Sequence, residues 1–181
     1  MRNIIAIALI LLTVSTVTCS SFQAGSESNH FDKLSFFSVV QGLLDGIGIQ
    51  VQGLDVQKCI IPSDDAVQNI LIAINSFEKE DATGVAHGLI ALAKAFKDIP
   101  AAIQTCVAQT LDVQVLIRAL EAISNPKSYL FQVGKGLLIN NVDIYDEIYT
   151  AVDNFLAAKW KELGFNIGEA LAHVSINGAD N

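Results

Sequence analysis

Apolar residues recur at three- and four-residue intervals along most of this chain, and that spacing constrains its fold more than any other property. Leu34, Phe37, Val40, Leu43, Leu44 and Ile47 fall on one stripe of a helix with about 3.6 residues per turn. A short amphipathic piece, residues 51–61, ends at Pro62. Ser63 then reads as an N-cap, with Asp64 and Asp65 in the first turn, where the helix dipole favours anions. The helix behind it carries Val67, Ile70, Leu71, Ile74 and Phe77.

The pattern continues past the polar turn Glu78 to Asp81. Residues 85–96 predict a helix with Leu89, Leu92, Ala93 and Phe96 inward, and Pro100 sits in the first turn of a short helix reaching Val107. Residues 112–123 are periodic again. Asn125-Pro126 stops that run and opens a helix carrying Tyr129, Leu130, Val133, Leu137 and Leu138. Asn140 and Asn141 make a turn. Residues 142–160 form the longest helical candidate, with Ile144, Ile148, Val152, Phe155 and Leu156 inward. Gly164 is expected to end it, and a last helix covers about 167–174. No sustained strand alternation with hairpin turns stands out, so the expected class is all-α, a compact multi-helix array.

Laid over itself at an offset of roughly 46 to 47 residues, the sequence matches in register. Gly42-Leu43-Leu44 meets Gly88-Leu89-Ile90, Cys59 meets Cys106, and Asp65-Ala66-Val67 meets Asp112-Val113-Gln114. A partial third copy starts at Gly136-Leu137-Leu138 and lacks the cysteine. The expectation is a helix-pair unit of about 47 residues used two to three times. The competing explanation is chance similarity between helices rich in Leu and Ala. Glycines four apart, Gly42/Gly46 and Gly84/Gly88, lie on one helix face and mark close helix crossings.

The N-terminus carries a different signal. Arg2 precedes an unbroken apolar run from Ile4 to Leu12, then a polar-leaning stretch with Val17 and Cys19 at −3 and −1 of a cut before Ser20. The run falls short of the roughly 20 residues of a membrane span. Residues 1–19 therefore predict a cleaved secretory signal, 20–30 a flexible leader, 31–175 one helical domain and 176–181 a polar tail. The alternatives are a buried N-terminal helix, or a lipidated Cys19, which the bulk of Thr18 disfavours.

Cleavage leaves about 160 residues, enough for a core of their own, and the two cysteines Cys59 and Cys106. In an oxidising compartment such a pair makes one disulfide; two buried free thiols are the alternative. The mature chain has no N-glycosylation sequon.

The whole chain carries a net charge of −8, its acids are scattered, and only Lys159 and Lys161 are close basic neighbours. Nucleic acid and anionic membrane surfaces are thereby poor partners, and the mature chain has no predicted membrane span. With 51% hydrophobic and 17% charged residues, either the helices bury more than one side or some apolar surface serves a partner.

Catalytic patterns are missing. His30, His87 and His173 are isolated, and no zinc-protease, nucleophile-elbow, phosphate-loop or calcium-loop motif is present. No catalytic or metal residue and no cofactor is implied. Asp143, Asp146 and Glu147 read as an exposed helix start rather than a metal site. Tyr145, Tyr149 and Trp160 combine apolar rings with polar tips, which makes them candidate interface residues, although such residues serve equally well in cores. The leading expectation is a secreted helical interaction or structural protein without enzymatic activity, acting on an unknown protein partner. The alternative is a soluble carrier of a small apolar ligand such as a lipid or fatty acid. A hydrolase whose site is assembled only by the fold is a third class.

Overall fold

The computed structural model describes residues 31–49, 56–106, 113–125 and 129–177. The predicted signal, the leader and Cys19 lie outside the described residues, as do positions 50–55 of the first inter-helix segment and the chain end at 178–181. The elements run α1 (Lys33–Ile47), α2 (Val56–Cys59), α3 (Asp64–Phe77), α4 (Ala82–Phe96), α5 (Ile99–Cys106) and α6 (Gln114–Ser124). Then come β1 (Tyr129–Gln132), β2 (Gly136–Ile139), β3 (Val142–Asp143), α7 (Tyr145–Leu156) and α8 (Trp160–Asn177). The fold is mostly helical, as the spacing predicts.

Local chemistry sets the early boundaries. Asp32 caps α1 by accepting the Ser35 N–H at 2.8 Å, and Ser63 caps α3 through Ala66 N–H at 3.1 Å. Asp81 caps α4 through the Gly84 N–H at 2.6 Å. Gly48 closes α1 in the left-handed conformation at φ 83°, with its N–H on the Asp45 carbonyl and the Ile49 N–H on that of Leu44.

The buried face of α1 differs from the expected stripe. Phe36, Val39, Val40, Leu43, Leu44 and Ile47 are buried, whereas Leu34 is 65% exposed and Phe37 only half-buried. The reason is α8, which lies parallel to α1 and packs along it more extensively than any other described pair. The contact uses Val39, Gly42, Leu43 and Gly46, and the two glycines are residues that a hydropathy stripe does not weight. A β-carbon on Gly42 would collide with the Lys161 carbonyl, and one on Gly164 with the Val39 carbonyl. Gly46 and Gly168 face each other across the same seam. Gly164 therefore does not end a helix. α8 runs through it because the close approach outweighs a propensity penalty of about 1 kcal/mol per glycine. The helix also reaches Asn177, into what composition marks as tail.

A second correction concerns residues 129–138 and 142–143, expected to be helix on either side of the Asn140-Asn141 turn. They form a small antiparallel sheet, ordered β1-β2-β3, with Tyr129 opposite Ile139 and Leu138 opposite Asp143. Asn140 and Asn141 both have positive φ (52° and 68°), which suits the two-residue link from Ile139 to its partner Val142. Leu137 and Ile139 are fully buried, while Leu130 and Val133 point outward at 59% and 58% exposure. Asp143 then joins sheet to helix, its Oδ1 accepting N–H groups from Leu137 (2.9 Å) and Tyr145 (3.1 Å).

The long candidate helix over 142–160 is also divided. α7 stops at Leu156, and Ala158 takes a left-handed φ of 54° before α8 begins at Trp160. Asn154 donates to Asn166 Oδ1 at 2.8 Å, tying α7 to α8. Of the residues expected inward on α7, Ile144, Ile148 and Val152 are buried, Phe155 is half-buried, and Leu156 is 55% exposed.

The fold does not establish the expected repeat; in both α1–α2–α3 and α4–α5–α6 the middle helix is short and ends on a cysteine. The third copy has no such counterpart, since Gly136 begins a strand.

Candidate functional site

A groove of about 850 Å³ opens where the end of α4, α5, α6 and the end of α8 converge, beside Asn140 of the β2–β3 turn. Most of its surface is apolar, although eight of its fifteen described lining residues are polar or charged. Ala93, Pro100, Leu120 and Val174 are buried beneath it, and Ala101, Ile117 and Ala122 line its more exposed side. Helix geometry explains the shape. α6 places Ile117, Leu120 and Ser124 three and four residues apart on one side, and the alanines leave room where larger residues would fill the crevice.

Polar groups gather at the rim. Lys97 follows the last turn of α4, where the helix dipole favours a cation, and Arg118 and Glu121 project from α6. Lys97 and Arg118 are exposed, and neither forms an ion pair among the described residues. Sequence reading finds no basic cluster because these two cations stand far apart in the chain. Only the packing of α6 beside α4 brings them to one groove.

The candidate interface aromatics lie elsewhere and are partly occupied by internal packing. The Tyr145 ring is 4.3 Å from that of Tyr149 and 6.5 Å from that of Phe131. Trp160 packs edge-on against Phe31 at 5.3 Å and Phe155 at 5.4 Å. All three candidates are half-buried against the core. Tyr149 holds its hydroxyl buried with no hydrogen-bond partner among the described residues. Burial, followed by the neighbouring Tyr145, Glu80, Tyr129 and Asp81, pushes its phenol up to about 12. Tyr129 donates to the Ala82 carbonyl at 3.1 Å, and burial with the Asp81 charge pushes it to about 12 as well.

No group of three or more His, Cys, Asp or Glu side chains that could hold a metal occurs among the described residues. His87 is exposed, and His173 pairs through Nδ1 with Glu147 at 3.1 Å, joining α8 to α7. His30 lies outside the described residues. Asp143 serves the sheet–helix joint, and Asp146 and Glu147 occupy the first turn of α7. No described helix is long and apolar enough to cross a membrane.

A family model described as SctB-like, secreted protein B-like, matches residues 18–174. The chain belongs to the SctB-like family. Neither the curated proteins nor the solved structures give a match. In this SctB-like chain the matched span contains nearly every residue of the groove, from Ala93 on α4 to Val174 on α8. The same span holds α2 and α5, which pack on each other and end on Cys59 and Cys106.

Proposed function

We propose that this SctB-like chain is a secreted, non-catalytic binding protein whose working surface is the groove between α4, α5, α6 and α8. The observation that carries this reading is the groove itself. It is mostly apolar, and its volume falls within the roughly 300–1,000 Å³ that small-molecule sites occupy. Among the two expectations drawn from the sequence, this geometry favours a carrier of a small apolar ligand.

Secretion follows from the family's description, and the family match beginning at residue 18 sits beside the predicted cut before Ser20. In that setting we assign Cys59 and Cys106 to one disulfide. The contact between α2 and α5 and the engaged state of the Cys59 sulfur support it. The pair would lock corresponding positions of two duplicated units, residues 31–77 and 78–124.

A second reading, docking of a protein partner, draws on the outer edges of Tyr145, Tyr149 and Trp160 together with exposed Leu130 and Leu156. Organic extraction of the protein recovered from the medium of a secreting host separates the two. Near-stoichiometric lipid is the result expected of the groove reading. Lipid-free protein that also takes up no added fatty acid would leave the partner reading in its place.

A further inference from the structure

We propose that the groove takes a free long-chain fatty acid, with its carboxylate at Lys97 and Arg118 and its chain along the apolar wall. This rests on the binding reading above and adds the ligand's chemical class. The wall offers hydrocarbon: Ala101 is exposed and Ile117 and Ala122 are half-buried along the crevice, beside buried Ala93, Leu120 and Val174.

The rim supplies the complementary charge. The chain as a whole is at −8, yet this rim holds two exposed cations without an ion-pair partner among the described residues, against one acid, Glu121. The local sign is therefore opposite to that of the molecule. An anionic head attached to a single apolar tail satisfies both halves of the site. A neutral glyceride leaves the cations unused, and a cationic amphiphile meets like charge. An extended anionic bilayer would meet a chain of net charge −8, which disfavours it.

The test is calorimetric titration of the delipidated full-length secreted protein with oleate and, separately, with oleyl alcohol. The two share a tail and differ in the head. Exposed charge pairs contribute modestly, so oleate is expected to bind about three- to tenfold more tightly. The double variant Lys97→Gln/Arg118→Gln is expected to abolish that difference and leave the alcohol's affinity unchanged. Ala101→Phe, an exposed alanine in the groove wall, is expected to weaken both ligands.

Equal binding of the two ligands by the unaltered protein, or an oleate preference that persists in the double variant, overturns the head-group assignment and leaves the groove reading standing. Binding of neither ligand, or binding that ignores Ala101→Phe, overturns both. Self-association abolished by Ala101→Phe, in protein that takes up no fatty acid, would place a second copy in the groove and also overturn the proposal.

Discussion

Glycine at positions 42, 46, 164 and 168 lets the backbones of α1 and α8 touch, and the sign of a substitution there reveals what the glycines do. In an exposed helix, Gly→Ala stabilises by about 1 kcal/mol through propensity. At Gly164 the added methyl would meet the Val39 carbonyl, a backbone atom that cannot rotate away. Gly164→Ala is therefore expected to destabilise by roughly 1–3 kcal/mol, read from a denaturant midpoint at unchanged slope. A stabilised variant would mean that the seam is looser than described. Two tyrosines allow a second comparison. Tyr129→Phe removes the bond to the Ala82 carbonyl and should cost about 1 kcal/mol, whereas Tyr149→Phe removes a buried hydroxyl with no described partner and should stabilise by a similar amount. Both phenols titrate late in the folded protein. A raised folded pKa contributes stability fully below the unfolded value of 10 and loses it as pH climbs toward about 12. Melting temperature should accordingly fall between those values, and the double Tyr→Phe variant should flatten the decline.

Elements with strong local signals are legible in the sequence. Ser63 with Asp64 and Asp65 marks the start of α3, and Asn140-Asn141 marks a turn, because caps and left-handed turns are side-chain chemistry on neighbouring backbone. What fails is whatever distant contacts decide. The stretch Tyr129 to Leu138 places its apolar residues at spacings a helix also allows, but Gly134-Lys135-Gly136 interrupts it and Gly134 takes a positive φ of 64° in the turn that pairs the strands. The break at Ala158 carries no Gly or Pro to announce it. The groove was hidden for a similar reason, since Lys97 and Arg118 belong to different helices. Two measurements address the joints between elements. Asp143→Ala should cost about 1–3 kcal/mol by releasing the Leu137 and Tyr145 N–H groups, and Asp143→Asn, which keeps an acceptor, should cost less. Reduction of the proposed Cys59–Cys106 disulfide opens a loop worth roughly 4 kcal/mol of unfolded-state entropy. For a domain of this size that corresponds to a melting temperature lower by about 10 °C, and a melt unchanged by reductant would rule the bond out.

On the scale of the whole molecule, the parallel α1–α8 pair anchors the core, and α3 with α4 forms the next most extensive contact. The exposed Ala101 and the two cations of the groove stand on α5, on α6 and at the end of α4, with Val174 and Ser175 of α8 completing the wall. A binding site placed there can adapt to a ligand without disturbing the glycine seam. The central claim, that this groove is where an SctB-like chain holds its ligand, is tested most directly by amide hydrogen exchange with and without oleate. Slower exchange is expected in α5, α6 and the last turn of the matched part of α8, with residues 129–149 unaffected apart from the Asn140 turn. Unaltered exchange throughout, or protection confined to the Tyr145–Tyr149 face, would contradict it.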